Sequence, residues 1–317
     1  MNDPILTVTL NPALDISARL AKMEAGPKLR LRDQLREPGG GGVNVARVIH
    51  ELGGSVCAWI ALAGAAGAQH HELLRAQGVE THVFDAPGET RQSWAITDDT
   101  GQQFRLQMPG EAWSAALGAR ALDDIVAQAQ PQAKGLVILS GSQPDGLAES
   151  FPQDIARKLG RGRLIVDTSG APLQRLIARP DMPVFVLRLD QAEAELQAGR
   201  SLANPQETAR FAQDMHKRNV ADLVAIACGA DGNVLAAQAG LFHCRPPQVP
   251  VRSKVGAGDS FTGAFSLALA RGDTAAEALV LGTAAAAATV TSDGTALCKR
   301  ADVAQLAPNC QLLRLDA

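Results

Sequence analysis

From residue 114 onward the chain alternates short apolar runs with stretches of helical period, and that alternation leaves few architectures open. Helices are expected at 114–130, 148–160, 171–178 and 205–219. The strands expected between and after them lie at 135–140, 164–167, 184–187 and 223–227. Apolar runs this short, each followed by a helix, bury both faces of a largely parallel sheet. Ligands of such sheets gather at the carboxyl ends of the strands. A hairpin at 234–237 and 241–245 and helices at 257–270 and 275–291 complete this half. The small side chains of the last helix permit close packing, or leave room for a planar base.

The first half follows the same rhythm with an interruption. A strand is expected at 5–10, a turn at Asn11-Pro12, and Asp15 on the loop after it. A helix at 43–52, a strand at 56–63, a helix at 70–77 and a strand at 81–84 follow. Residues 28–32, Lys-Leu-Arg-Leu-Arg, alternate strictly, so one face is basic and the other leucine. Such a segment is either a solvated edge strand or a strand of a lid whose basic face meets phosphate. Strands at 93–97 and 102–107 flank Asp98-Asp99-Thr100-Gly101, a hairpin turn by composition.

Two glycine-rich stretches carry the chemistry. Gly256-Ala257-Gly258 suits a tight turn, with Pro250 and Val251 read as the end of a strand and a helix expected from Asp259 on. Small residues ahead of a helix N-terminus expose backbone N–H groups at its positive end, which is an anion site. Asp259 stands in its mouth. It serves either as part of a turn and cap or as acceptor of a proton from an attacking hydroxyl. Gly39–Gly42 is either a linker or a close-approach loop. It runs directly into the apolar face Val45, Val48, Ile49 and Leu52 of a helix, which favours the second. Asp190 and Glu193, three apart at a helix start, either compensate the helix dipole or form a carboxylate pair for a hydrated cation.

Composition excludes several classes. A net charge of −3 offers no surface for nucleic acid or membrane. Five cysteines with no C-x-x-C pair fit a reducing compartment. Met1-Asn2-Asp3-Pro4 lacks the basic start of a signal peptide, so the expected location is cytoplasmic. Walker-type, dinucleotide and protein-kinase sequence codes are absent, and the six histidines show no metal spacing.

Val255-Gly256-Ala257-Gly258-Asp259-Ser260 with Gly263-Ala264, together with Pro38-Gly39-Gly40-Gly41-Gly42-Val43-Asn44-Val45-Ala46-Arg47, resembles the paired signatures of the ribokinase-like (phosphofructokinase-B) sugar kinases. The two lie in the right order and more than 200 residues apart. The glycine run with Val-Asn-Val-Ala-Arg resembles the minor bacterial 6-phosphofructokinases within that family. The resemblance extends from Thr9 to about Cys298. It implies an α/β fold, a mostly parallel sheet sandwiched by helices, with a small β-sheet lid. Residues 1–12, 38–92 and 108–317 would form the main domain, and 13–37 with 93–107 the lid.

The resemblance implies ATP-dependent phosphorylation of a ketohexose phosphate, fructose 6-phosphate to fructose 1,6-bisphosphate first among them. A 1-phosphofructokinase, a tagatose-6-phosphate kinase and a weakened sugar-phosphate sensor stay open. Asp259 would be the base, and the amides of Gly256, Ala257 and Gly258 would hold the moving phosphoryl group. Asp15, Gly40, Gly41 and Asn44 would contact sugar hydroxyls, with Ser140 beside them. Arg91, from Thr90-Arg91-Gln92, would hold the sugar phosphate together with Lys28 and Arg30. Arg188, Asp190, Ala227, Gly229 and Gly232 would line the ATP site. Glu193 and Asp190 would attend Mg²⁺, and K⁺ is a further expected ion. A homodimer through the lids is implied as well. The chain departs from the family at Arg188-Leu189-Asp190, Ala227-Cys228-Gly229, Lys254, Ala287 and Ala296. All lie on the ATP and cation side, and the sugar side matches the family pattern.

Overall fold

The chain is described here by a computed structural model covering residues 5–130, 135–292 and 294–316. The expectation drawn from residues 1–4 lies outside these. The chain opens with β1 (Ile5–Thr9), β2 (Ala13–Leu20) and β3 (Arg32–Gly39) and enters α1 (Gly41–Glu51). Next come β4 (Val56–Leu62), α2 (Gly64–Ala76), β5 (Glu80–Asp85), β6 (Arg91–Asp98) and β7 (Gln103–Gln107). The alternating half runs α3 (Ala115–Ala129), β8 (Val137–Ser140), α4 (Phe151–Leu159), β9 (Leu164–Asp167), α5 (Gly170–Ala178) and β10 (Val184–Leu189). It continues through α6 (Gln191–Ala198), α7 (Pro205–Lys217), β11 (Ala221–Ala227), β12 (Asn233–Ala237) and β13 (Gly240–Arg245). The remaining elements are α8 (Ala257–Arg271), α9 (Ala275–Val290), α10 (Arg300–Leu306) and β14 (Gln311–Leu315).

Among the described residues, ten strands form one sheet in the order β14-β13-β12-β11-β10-β9-β8-β1-β4-β5. Neighbours from β11 to β5 run parallel, and β12, β13 and β14 add an antiparallel edge. Growth reverses at β1. The first half of the chain extends from β1 to β5, the second from β8 to β11 on the other side. Such a reversal opens a crevice at the carboxyl ends of the two central strands.

Successive strand side chains point to opposite faces. Ile5 and Ile138 belong to the core under α1, α8 and α9, while Leu6, Val8, Val137 and Leu139 belong to the core under α3, α4, α5 and α7. Phe261 and Phe265 of α8 stack at 5.4 Å in the first core. Burying such side chains contributes roughly 1.5–3 kcal/mol each, which fixes the start of α8. A Cβ on Gly282 of α9 would lie 2.9 Å from the Phe261 ring. The small residues of α9 therefore serve close packing at that point.

The second sheet has the order β3-β2-β6-β7. Leu14 and Ile16 of β2 and Trp94 of β6 pack on Ala66 and Leu73 of α2. Several expectations need correction here. Asp15 lies within β2, not on a loop, because Leu14, Ile16, Ala18 and Leu20 bury one face of a strand. Residues 28–31 are not strand. β3 starts at Arg32, where pairing with Arg19 of β2 begins, and continues into the glycine run. Pro250 and Val251 are not strand either, since β13 ends at Arg245. Strand β14 and helix α10 were not anticipated. All five cysteines are free thiols. Among the described residues no helix is long and apolar enough to cross a membrane.

Candidate active site

The glycine run is a packed joint between β3 and α1, not a linker. Gly40 has φ 123, a conformation that side-chain-bearing residues rarely adopt. A Cβ on Gly39 would collide with the Asp15 carboxylate, and one on Gly41 would lie 2.5 Å from Ser140 Oγ. On Gly42 it would lie 2.5 Å from Thr9 Oγ1 and 2.7 Å from the Val8 carbonyl oxygen. Side-chain-free backbone thus lets Asp15, the end of β8 and the start of α1 converge. His70 braces the joint, its Nε2 lying 3.0 Å from the Gly39 carbonyl. Burial pushes that imidazole down to about 4, so it is neutral and donates from Nε2.

Helix α8 supplies the opposite wall. Gly256 caps it with φ 76. The Ser260 N–H makes the first helical bond, 2.9 Å to the Gly256 carbonyl, and the Ala257 N–H reaches 3.4 Å back to Lys254. The helix therefore starts at Ala257, as the span 257–270 expects, and takes in Ala257 and Gly258, which the turn reading places ahead of it. Only Gly256 forms the turn, while Ala257, Gly258 and Asp259 are first-turn residues with no partner inside the helix. The Asn44 side-chain amide donates to Asp259 Oδ2 at 2.8 Å.

Asp259, Gly41, Ser140, Arg188 and Glu193 line one cleft with an empty volume of about 360 Å³. Asp167 joins them and was missed as a functional residue. It ends β9, the position where parallel sheets present ligand-binding groups, and that was the signal available. Its carboxylate accepts from Thr262 Oγ1 at 2.8 Å and from Arg188 Nη1 at 3.3 Å. The Arg188 guanidinium lies against Gly258, where a Cβ would sit 2.8 Å from Nη2. Its Nε is buried without a hydrogen-bond partner.

Arg91 lies outside this cleft, beside Asp15. Its Nε and Nη2 each donate 3.2 Å to the Asn11 carbonyl. It lines a second cleft of about 270 Å³ with Asn11, Glu89 and Glu111. Lys28 and Arg30 are exposed and line neither cleft. Ala227 ends β11, and Gly229 in the loop after it faces the α6 start, where a Cβ would lie 3.2 Å from Gln191 Oε1. Gly232 closes that loop, accepting from the Cys228 N–H at 2.8 Å. Asp190 and Glu193 form a reciprocal capping box. Asp190 Oδ1 accepts from the Glu193 N–H at 2.7 Å, and Glu193 Oε2 from the Asp190 N–H at 2.8 Å. Among the described residues no three His, Cys, Asp or Glu side chains gather as a metal site.

Burial raises three carboxyls. Asp259 is pushed up to about 7 by burial and then by the neighbouring Asp167 charge, against the Asn44 hydrogen bond and Arg188. Glu193 rises to about 7 and Asp15 to about 6, both chiefly by burial. Arg188 is held charged despite burial by Asp167, Glu193 and Asp259. For a carboxyl whose folded pKa exceeds its unfolded one, the folded state binds the extra proton. Its stabilising contribution is full below about pH 4 and disappears as pH rises through 6–7. The ligand-free protein is therefore expected to melt at a higher temperature at pH 6 than at pH 8. A melting temperature that rises steadily from pH 6 to pH 8 contradicts the arrangement.

The pfkB family carbohydrate kinase model matches residues 9–302. The ATP-dependent 6-phosphofructokinase isozyme 2 of Escherichia coli (strain K12) is 33% identical over 305 residues, 95% of this chain and 97% of that protein. The 1-phosphofructokinase of Xanthomonas campestris is 30% identical, covering 83% of each chain. A crystal structure of phosphofructokinase-2 from Escherichia coli in complex with potassium superposes with a TM-score of 0.89. It is 30% identical and covers 98% of this chain and 99% of that one. A carboxylate-bearing helix start, a glycine joint at the switch in strand order and a family match over most of the length agree: the chain belongs to the pfkB family of carbohydrate kinases.

Proposed function

We propose that the protein transfers the terminal phosphoryl group of ATP to the 1-hydroxyl of fructose 6-phosphate. The observation that carries this reading is Asp259, held by Asn44 at the start of α8 in the same cleft as Arg188. A base at an anion-binding helix start fits proton removal from a hydroxyl that attacks a phosphoryl group. On the sugar side, Asp15, Gly40, Gly41, Asn44 and Ser140 would hold hydroxyls, and Arg91 the phosphate. The buried, unpartnered Arg188 Nε fits a phosphate oxygen of the nucleotide. The first-turn amides of α8 would take the moving group and offset its developing charge. Ala227, Gly229 and Gly232 would line the rest of the nucleotide site.

Glu193 lines the cleft and, with Asp190 beside it, would attend Mg²⁺, which tolerates few protein ligands because it keeps several waters. When bound, Mg²⁺ supplies charge neutralisation at the phosphates. The potassium in the E. coli structure is reason to include K⁺ in the assays.

A coupled assay with MgATP against a panel of hexose phosphates tests the reading. The expected result is the highest kcat/KM with fructose 6-phosphate. A preference for fructose 1-phosphate, favoured by the Xanthomonas relative, or for tagatose 6-phosphate reassigns the substrate. Binding of a hexose phosphate with no turnover makes the protein a sensor.

The reading treats the small sheet as a lid over the sugar, set on a main body that carries the rest of the site. It also pairs two chains through these sheets. Leu35 on β3 is 54% exposed and lies beside Ser17, on the face that carries Asp15. Leu29 and Leu31, in the segment leading into β3, are exposed as well. A small sheet with an apolar outer face does not bury that face alone. In the pair, Lys28 and Arg30 would approach the sugar phosphate. Sedimentation at micromolar concentration is expected to show a dimer, and Leu35→Glu to shift it toward monomer with lower activity. A fully active wild-type monomer removes the pairing.

A further inference from the structure

We propose that Arg47 is a positioning residue that orients the Asn44 amide toward Asp259, with Glu37 holding Arg47 in place. An asparagine amide has two ends of nearly equal shape, one a donor and one an acceptor. Only the Nδ2 end can serve the Asp259 carboxylate; the flipped amide would set Oδ1 against it. Arg47 decides between the two, because a guanidinium only donates. Its Nη1 donates to Asn44 Oδ1 at 3.1 Å, which turns Nδ2 to Asp259 Oδ2 at 2.8 Å. Asn44 and Arg47 lie three apart on α1, so their side chains meet on one helix face.

The guanidinium is itself fixed on every side. Nη2 donates to Glu37 Oε1 at 3.2 Å, Nη1 also to the Pro38 carbonyl at 3.4 Å, and Nε to Gln77 Oε1 at 2.7 Å. The other Glu37 oxygen accepts from the Thr295 hydroxyl. Thr295 belongs to the segment that places Leu297 against Gly256. One hydrogen-bonded path thus runs from that segment through β3 and α1 to the carboxylate. It occupies Asp259 Oδ2 and leaves Oδ1 for a substrate hydroxyl.

The inference rests on Asp259 as the base, so wild-type turnover is measured first, and an inactive wild type ends both readings together. Given turnover, kcat, the sugar KM and melting temperature are compared for Arg47→Met, Arg47→Lys, Asn44→Ala and the double variant Arg47→Met/Asn44→Ala. Arg47→Met is expected to lower kcat about 10–100-fold, the scale of a misplaced reacting group. Its sugar KM should stay within about threefold of wild type. Arg47→Lys, which still donates to Asn44, should recover most of the loss. In the Asn44→Ala background Arg47→Met should cost less than about twofold more, since residues acting in series are not additive. If the two losses multiply, or if KM rises as much as kcat falls, Arg47 does not act through Asn44. If Arg47→Met does not fold, the same cycle with Glu37→Gln decides, on the same criteria.

Discussion

Asp259→Asn is expected to lower kcat by about 10²–10⁴, the usual effect of removing a positioned general base. The exchange keeps the shape of the side chain and removes the proton acceptor, so the KM values for both substrates should change little. Stability should move the other way. The carboxylate is buried beside Asp167, and those two causes are what raise its pKa to about 7. Replacing it by a neutral amide relieves both, so the variant should melt at the same temperature as wild type or higher. Wild-type activity should also show an acid limb. Below about pH 7 the Asp259 carboxyl carries its proton and cannot accept another, so the rate falls toward tenfold per pH unit. Asp259→Asn should lack that limb. Near-normal kcat in the variant, or a wild-type rate flat from pH 8 to 5.5, removes Asp259 from the mechanism.

Arg188→Met is expected to be the most destabilising single change in the cleft. Arg188 is the cation between Asp167, Glu193 and Asp259, with 13% of its side chain exposed. Removing one member of a buried ion pair leaves the partner uncompensated, which costs about 3–5 kcal/mol. At roughly 2–4 °C per kcal/mol for a domain of this scale, the melting temperature should drop by about 10 °C. Asp259 and Glu193 would be pushed further upward, so the loss should be greatest at pH 8 and shrink at pH 6. Nucleotide affinity should fall as well, since Arg188 Nε is the buried donor left for a phosphate. A variant that melts like wild type at pH 8 shows that the acidic cluster does not depend on this cation.

The parallel half of the fold was legible because its strands are apolar on both faces and each is followed by a helix. The run at 164–167 needed no adjustment. The small sheet was harder. Ala13–Leu20 alternates as cleanly as 28–32, yet the first is a strand throughout and the second only from Arg32 on. Alternation says which faces a strand would have, not whether a neighbour pairs with it, and pairing on β2 begins at Arg32. Strand β14 carries apolar residues without alternation and joins the sheet only through β13, 66 or more positions away. Asp259 and the glycine run were legible because local backbone chemistry marks a helix start, and Asn44 only because its stretch resembles the family signature. Asp167 and Arg47 were not, because their roles depend on Arg188, Thr262 and Glu37, contacts that no local pattern states.

The Asn44–Asp259 hydrogen bond joins residues 215 positions apart. Chains are made at about 5–20 residues per second, so roughly 10–40 s pass on the ribosome between the two. During that interval the glycine joint and β2 already exist as polypeptide, without Asp259. A truncated product ending before α8 would carry the glycine joint and Asn44 but not Asp259. On the proposed reading, phosphoryl transfer is thereby tied to nearly complete synthesis.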